Sequence, residues 1–292
     1  MAERRPATQE NRQVVTARGE AQAALAALAS LPDEAIGLAE AALALSALGP
    51  RAPDSTPDPS SYRRHLSEIA MAVGNTAGAS LGGRIEALND VLLGTFGYRG
   101  DTETYDDLDN ADLARVIDRR KGLPVTLGIL YLHAARAQGW SAAGLGFPGH
   151  FLIRIEGGGE AAVLDPFHAG RILDAAGLRG LLKATCGLDA ELEPAHWHPV
   201  ANRDVLIRLQ NNIKARCLES GDVARALDAV EAMLLFAPEA NHLWRDAGVL
   251  HAKLGQLGGA VRSLERYLAR SGAGPARDEA ERMLSRVRAE LN

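Results

Sequence analysis

Three short stretches of the sequence carry residues that together could perform nucleophilic chemistry. They are the Gly-x-Pro of residues 122–124 at the start of an apolar run, His150 in "PGHF" and Asp165 in "LDPF". A helix N-terminus stabilises an anion such as a thiolate. A histidine opposite it can act as a general base, and an aspartate on a neighbouring strand can orient the imidazole. The order of the three stretches is therefore typical of a site in which a helix start, a histidine and an aspartate act together, and here the helix start carries a proline.

An apolar helix is the element that would present the first stretch. Pro124 is typical of a first helical turn, and the helix is predicted to run to about Gln138, with Gly139 ending it. Ile129 and Leu132 extend its apolar surface nearly all round. A helix that is apolar on every face is predicted to lie inside a core.

Short strand-like runs follow this helix and carry the other two residues. "SAAGLGF", "HFLIRIE" and "AAVLDPF" are separated by Pro-Gly and by Gly-Gly-Gly, and residues 151–156 show the period-two pattern of a strand. The "EGGGE" segment predicts a hairpin turn. Residues 141–173 are thus predicted to form a small antiparallel sheet against the helix, with His150 at the start of one strand and Asp165 near the end of the next.

The last third of the chain contains an internal repeat. "LESGDVARALDAVEAMLLFAP" aligns with "AKLGQLGGAVRSLERYLARSG", so that Gly221 matches Gly255 and Ala226 matches Ala260, each at an offset of 34 residues. This is the period of tetratricopeptide repeats, in which the glycine makes a turn and the alanine lets two helices approach closely. The region is predicted to be a repeat array that either binds a partner or packs against the rest of the chain.

Composition limits the classes of function. The 292 residues are 47% hydrophobic, and the net charge of −5 argues against a general nucleic-acid or membrane-surface binder. No uncharged apolar run of about 18 residues exists, which argues against a membrane span. Cys186, expected at a buried helix end, and Cys217, expected inside a repeat helix, are typical of reduced cytosolic cysteines. The predicted location is the cytoplasm.

Longer stretches around the three motifs resemble a known family. "LNDVLLGTFGYRGDTETYDDLDNADLARVIDRRKGLPVTLGILYLHAARAQGW", "GLGFPGHFLIRI" and "VLDPFHAGRIL" are similar to the bacterial SirB-one family, over about residues 60–290. The resemblance implies a transglutaminase-like domain joined to C-terminal tetratricopeptide repeats. Active members of the wider superfamily carry Gly-x-Cys at the helix start, and the resemblance places that cysteine on Pro124. It matches the histidine to His150 and the aspartate to Asp165.

The implied fold is of α+β class and mainly α. It has a transglutaminase-like (papain-like) core with a small antiparallel sheet, followed by tetratricopeptide helices. The expected organisation is a partly disordered N-terminal segment over residues 1–30, a transglutaminase-like domain with N-terminal helices over 31–200, and the repeat region over 201–292.

Several other residues near these motifs are candidates for the site. Thr126 could replace the missing nucleophile if His150 activated its hydroxyl, although such a threonine more often bonds to the backbone. Arg120 and Asn110 are candidate binding residues, because Arg119, Arg120 and Lys121 could form an anion-recognising rim. Internal salt bridges with the acidic "YDDLDN" segment, residues 105–110, are an equally good explanation of these charges.

A metal site is a further alternative. His168 lies three residues after Asp165, and these two residues with His150 could supply three ligands to a metal ion. A surface histidine in a loop is the favoured interpretation of His168. No metal and no cofactor are therefore predicted.

Three functions are compatible with these residues. The first, favoured by Pro124, is a non-catalytic transglutaminase-like protein that acts as a binding or scaffold module. The second is a hydrolase or acyltransferase that uses His150 and Asp165 with another nucleophile or an activated water, which requires the pair to face an open pocket. The third is an adaptor that works through the repeats. A protein or peptide partner is expected and no nucleic acid or membrane partner, while the oligomeric state stays open.

Overall fold

The computed structural model describes residues 9–49 and 59–291. The segment predicted to be partly disordered, residues 1–30, begins outside the described residues, and its remainder contains helix α1, Gln9–Leu28. The chain divides into two compact units. One comprises Met1–Ala17 and Pro32–Leu209, and the other comprises Arg18–Leu31 and Gln210–Asn292.

Helices dominate the first unit, which also contains a four-stranded and a two-stranded sheet, so the predicted mainly α member of the α+β class is confirmed. Its helices are α2 Leu38–Leu48, α3 Pro59–Thr76, α4 Leu81–Asn89, α5 Leu113–Arg119, α6 Pro124–Ala137 and α7 Ala175–Cys186. A π-helix, Asp90–Thr95, continues the chain directly after α4, and Gly97 follows it at a φ of +72°. Left-handed backbone at that point is open to glycine and ends the helix.

Helix α6 lies at the centre of this unit. Eleven of its residues, from Pro124 to Ala135, are buried, as its apolar surface on every face predicted. It packs against α2, α3 and α4 on its helical side. The helix ends at Ala137, and Gly139 follows at a φ of +72°, which confirms the predicted stop. Burial on all sides makes α6 a rigid support for whatever its first turn presents.

The predicted antiparallel sheet is present beside α6. Its strands are β3 Ser141–Gly144, β4 Ile153–Gly157, β5 Glu160–Asp165 and β6 Arg171–Leu173, and each pairs antiparallel with the next in sequence order. Gly158 and Gly159, both at positive φ, form the hairpin turn between β4 and β5. Strand β4 begins at Ile153, so the expectation that His150 starts a strand is wrong by three residues. His150 lies instead in the loop that enters β4.

A two-residue parallel pair joins the start of α6 to an earlier loop. These strands are β1 Arg99–Gly100 and β2 Lys121–Gly122, with Gly100 opposite Gly122. Neither strand has a hydrophobic pattern long enough to be recognised in the sequence. The pair fixes the residues that immediately precede Pro124.

The second unit consists mainly of antiparallel helices in the predicted repeat. They are α9 Val223–Phe236, α10 Asn241–Lys253, α11 Leu257–Leu268 and α12 Pro275–Leu291, while α8 Asn202–Glu219 contains residues of both units. Consecutive helices from α9 to α12 pack on one another. Gly221 and Gly255 occupy matching turns at φ of +80° and +68°, and Ala226 and Ala260 are fully buried between helices. The 34-residue period therefore predicted both the turns and the close contacts.

Candidate functional site

His150 and Asp165 form a direct pair in the first unit. His150 Nε2 lies 2.8 Å from Asp165 Oδ1. Asp165 is the last residue of β5 and fully buried, and the His150 side chain is only 8% exposed. The sequence predicted this pairing from the order of the motifs alone. A histidine held by a buried carboxylate is fixed in both its tautomer and its ring orientation.

A second histidine binds the other oxygen of the same carboxylate. His168 Nδ1 lies 2.7 Å from Asp165 Oδ2, and its ring stacks on that of His150 with centroids 5.7 Å apart and planes inclined by 24°. The prediction of a surface loop histidine describes its exposure, since 47% of the side chain is accessible, but misses this bond. The i, i+3 spacing of Asp165 and His168 was the signal for it, because the tight turn after β5 brings the two side chains together.

The Asp165 carboxylate is stabilised in its charged form. Burial alone would raise its pKa, yet hydrogen bonds and charge interactions with His150 and His168 hold the pKa below the ordinary aspartate value. Backbone N–H groups of Phe167 and His168 also donate to Oδ1, at 3.1 and 3.3 Å. Burial and the charge of Asp165 together raise the pKa of the Tyr131 phenol, whose hydroxyl donates to Asn89. The site thus contains one buried negative charge with several donors around it.

The first turn of α6 contains no available nucleophile. Pro124 is its first residue and is buried. The hydroxyl of Thr126, fully buried, donates to the backbone carbonyl of Asn110 at 2.8 Å, and the N–H of Leu123 donates to the same oxygen at 3.0 Å. The Thr126 hydroxyl is therefore engaged in holding the loop before α5, which is the backbone-bonding alternative considered for it.

Phe167 connects the helix start to the histidine–aspartate group. Its ring meets His150 edge to face at a centroid distance of 6.1 Å. A Cβ on Gly100 would lie 2.6 Å from the Phe167 carbonyl oxygen and 2.7 Å from its ring, so the two backbones touch there. Gly100 pairs with Gly122, two residues before Pro124. This chain of contacts brings two of the predicted stretches, the α6 start and the His150–Asp165 pair, into one region.

Arg208 on α8 positions the His150 backbone and was not predicted. Its guanidinium donates to the carbonyls of Phe147 and His150, at 2.9 and 2.6 Å, and stacks over the Phe151 ring at 5.6 Å. Phe151 in turn packs on α6, where a Cβ on Gly128 would lie 2.4 Å from its ring. Arg208 is 58 residues from His150 in sequence, so no local pattern could have linked them.

The basic residues before α6 are engaged in internal contacts. Arg119 approaches Asp101 at 3.3 Å and Asp107 at 3.2 Å, and Lys121 binds Glu103 at 2.7 Å. These are salt bridges within the acidic loop region, the alternative to an anion-recognising rim. Glu103 is exposed, so its pair with Lys121 contributes little to stability, whereas the Asp101 carboxylate that Arg119 approaches is buried.

Both candidate binding residues, Arg120 and Asn110, bond to other residues of the first unit. Arg120 Nη1 lies 2.5 Å from both His65 Nε2 and Tyr98 Oη, and its guanidinium stacks 4.8 Å above the Tyr98 ring. Asn110 is fully buried and donates its amide to Thr104 O at 2.7 Å. Asn110 lies beside the α6 start, whereas the described contacts of Arg120 run to a separate aromatic group.

The two cysteines are free. Cys217 is fully buried, as expected of a repeat-helix residue. Cys186 lies at the end of α7, as expected, but it is exposed, so the expectation that this helix end is buried is wrong. The neighbouring Thr185 hydroxyl bonds within α7 and to Pro148 O, at 3.4 Å.

Among the described residues, no helix combines the length and the apolar character needed to cross a membrane.

Comparisons with known proteins cover both units. The model of the transglutaminase-like superfamily matches residues 60–211, and a tetratricopeptide repeat model matches residues 213–285. A UPF0162 protein of Xylella fastidiosa is 32% identical over 188 residues, which are 63% of this chain and 67% of the relative. Protein SirB1 of Salmonella typhimurium and the UPF0162 protein YchA of Escherichia coli are each 30% identical over 172 residues, 59% of this chain and 64% of those proteins.

Proposed function

The chain belongs to the transglutaminase-like superfamily, and from that premise we propose that it is a non-catalytic member used as a binding or scaffold module. Its transglutaminase-like domain would recognise a ligand or protein without thiol chemistry, and its tetratricopeptide repeats would hold a protein partner. The cytoplasm is the proposed location, which two free cysteines favour.

The observation that carries this proposal is Pro124. It occupies the first turn of α6, two residues after the strand residue Gly122, whose partner Gly100 lies against Phe167. A proline is tolerated in the first helical turn because an N–H at that position would have no partner within the helix. It has no atom that can attack a carbonyl, so the helix-terminus field and the general base would have no sulfur to act on.

Burial of the remaining groups supports the same proposal. Asp165 is fully buried, His150 is 8% exposed, and the Thr126 hydroxyl is bonded to a carbonyl. A water-activating hydrolase needs its general base to face a substrate pocket. Because the His150 side chain is nearly inaccessible to solvent, a binding role is favoured over hydrolysis.

Restoring the thiol tests whether Pro124 is the missing catalytic position. We expect Pro124→Cys, made in a Cys186→Ser background, to give a thiol that iodoacetamide alkylates faster near neutral pH than Cys186 of the wild type. The helix terminus and His150 would lower the pKa of such a thiol. The same variant with His150→Ala is the control, and it should return the rate to that of an ordinary thiol. An ordinary rate with His150 present would show that Pro124 does not occupy the nucleophile position.

The non-catalytic assignment has its own test. Wild type and His150→Ala are compared for ester hydrolysis with p-nitrophenyl acetate and for amine incorporation into a glutamine peptide. Equal rates at the level of the blank are expected. Hydrolysis or transfer by the wild type that His150→Ala abolishes would contradict the proposal and support the hydrolase alternative.

An adaptor role of the repeats is the second candidate, and a cavity in the second unit favours it. The cavity measures about 770 Å³ and is lined by the aromatic Trp244 together with Arg262, Arg266 and Glu231. Arg266 stacks over Trp244 at 4.7 Å, which prearranges an aromatic and cationic surface. We expect the exposed charge reversal Arg262→Glu to reduce recovery of a co-purifying partner, with Arg179→Glu on α7 as control. Equal recovery by both variants would argue against this surface.

A further inference from the structure

Three metal-ligating side chains meet at the end of β5, namely His150, Asp165 and His168. One nitrogen of each histidine and a carboxylate oxygen all lie within 4.8 Å of one another. We propose that these three residues bind a divalent transition-metal ion of the zinc type, with water completing its coordination. Two imidazoles and one carboxylate are a donor set found in zinc and other first-row metal sites.

The geometry requires shifts of about 1 Å to accept such an ion. Each histidine nitrogen lies 2.8 or 2.7 Å from the carboxylate. Ligands about 2.0–2.1 Å from a tetrahedral zinc are about 3.4 Å apart, so the spread of up to 4.8 Å must close by about 1.4 Å while the two histidine–carboxylate contacts lengthen by about 0.6 Å. His168 can supply that movement because its side chain is about half exposed. Each imidazole then carries its proton on the nitrogen that faces away from Asp165 and offers a lone pair to the ion.

The carboxylate is held in place by groups other than the two imidazole rings. Phe167 and His168 donate their backbone N–H groups to Asp165 Oδ1. These bonds fix the plane of the carboxylate and persist when a metal replaces the two histidine contacts. Supporting hydrogen bonds of this kind orient metal ligands and raise affinity.

The turn after β5 directs His168 back toward Asp165. Ala169 and Gly170 both adopt left-handed backbone, at φ of 59° and 61°. Such a conformation is uncommon for alanine and is retained where the surroundings enforce it. A Cβ on Gly170 would run into the Asn89 and Tyr131 side chains, so the turn is locked against the unit. The accessible face of His168 leaves a path from solvent to the ion.

Arg171 is the charge that opposes this site. Its Nη2 lies 3.9 Å from Asp165 Oδ2, with the arginine side chain 58% exposed. A guanidinium that is this exposed is screened by water and weakens cation binding only moderately. Removing the charge should therefore strengthen metal binding, which separates a metal-ligand role of Asp165 from a purely hydrogen-bonded one.

Zinc titration of the tag-free, full-length chain tests the proposal. Calorimetry with Zn²⁺ against a competing chelator should show one ion per chain, and Mg²⁺ at the same concentrations should not bind. The visible spectrum of added Co²⁺ should report tetrahedral coordination by nitrogen and oxygen.

Variants of the exposed ligand and of Arg171 identify the site. His168→Gln keeps a hydrogen-bond donor for Asp165 but removes the imidazole, so it should weaken Zn²⁺ binding about a hundredfold without unfolding the chain. Arg171→Gln should strengthen it about threefold. His198→Ala, in an exposed histidine outside the group, should leave it unchanged. Wild type that takes up no stoichiometric zinc, or His168→Gln or Arg171→Gln with wild-type affinity, would overturn the proposal.

The metal-site proposal and the proposal that thiol catalysis is lost can be contradicted independently of each other. The alkylation rate of a Pro124→Cys thiol is measured without added zinc and reports the helix start together with His150. Zinc uptake by the wild type depends on His168, which lies outside the nucleophile–base–acid set. A chain that binds no metal but shows the expected thiol reactivity would leave the binding-module proposal intact.

Discussion

The Asp165 carboxylate is the residue on which the candidate site converges. It is fully buried and accepts from two histidine rings and two backbone N–H groups. A buried charge is tolerated only when it is paired and hydrogen-bonded in this way. The same arrangement makes the carboxylate important for stability as well as for any ligand.

Asp165→Asn is expected to destabilise the first unit by about 2–3 kcal/mol at pH 7, because it removes the charge that two histidines pair with. The folded-state pKa of Asp165 is lowered, so its stabilising contribution is present above the unfolded-state value of about 3.9 and is lost as pH falls through the folded pKa. The difference between wild type and variant in urea unfolding should therefore shrink as the pH falls below about 4. The exposed Asp189→Asn is the matched control and should change neither the free energy of unfolding at pH 7 nor its dependence on pH. A difference that does not shrink below about pH 4 would contradict this role.

Arg208→Lys is expected to loosen the loop that carries His150. One ammonium cannot make the two divergent bonds that the guanidinium donates to Phe147 and His150, nor the same stacking on Phe151. A loss of about 1–2 kcal/mol is expected from urea unfolding, with the exposed Arg179→Lys as control. Equal stability of the two variants would show that the backbone of His150 is held by other contacts.

The sequence identified single residues where chemistry leaves a local signature. Pro124, His150 and Asp165 were predicted from motif order, and the structure places the last two in contact. Arg208 and the bond from His168 were missed. Arg208 acts from a distant helix, and the i, i+3 spacing of Asp165 and His168 indicates a bond only once the tight turn after β5 is known. Contacts between elements depend on packing that no local spacing records.

At the scale of elements, the contact of α6 with the loop entering β4 positions the site. Gly128 lets the Phe151 ring lie directly on the α6 backbone, since a Cβ there would be 2.4 Å from the ring. The apolar period predicted α6 and the hairpin predicted β4 and β5. The period did not predict the start of β4 at Ile153, because the buried residues before it resemble strand residues while they pack as a loop.

Gly128→Ala is expected to destabilise the first unit by about 1–3 kcal/mol, because overpacking outweighs the gain of up to about 1 kcal/mol in helix propensity. Gly180→Ala on α7 is the matched control, since nothing lies within 4 Å of its added Cβ, and it should stabilise slightly. Phe151→Leu combined with Gly128→Ala should recover part of the loss. Urea unfolding measures all three. Equal effects of the two alanine substitutions would contradict the close contact.

At the scale of the whole molecule, two kinds of order are encoded differently. The second unit repeats every 34 residues, so its repeat helices and turns could be predicted by aligning one repeat with the next, as Gly221 with Gly255 and Ala226 with Ala260. The first unit depends on pairs far apart in sequence, such as Arg99 with Lys121 and Arg208 with His150. Repeats consist of local contacts, which a sequence pattern reveals, whereas a mixed α and β core consists of distant ones.

A destabilising substitution in the core of one unit is expected to affect amide hydrogen exchange in that unit only. Gly248 on α10 faces Leu264, whose side chain an added Cβ would meet at 2.7 Å, while Gly128 faces Phe151 in the other unit. We expect Gly128→Ala to accelerate amide hydrogen exchange in peptides of α6 and β4, and Gly248→Ala in those of α10 and α11. A destabilisation of about 2 kcal/mol corresponds to roughly thirtyfold faster exchange. Because substitutions without shared partners act additively, the double variant should show both patterns and no others. Faster exchange of α6 in Gly248→Ala alone would instead show that the repeats stabilise the core holding His150 and Asp165.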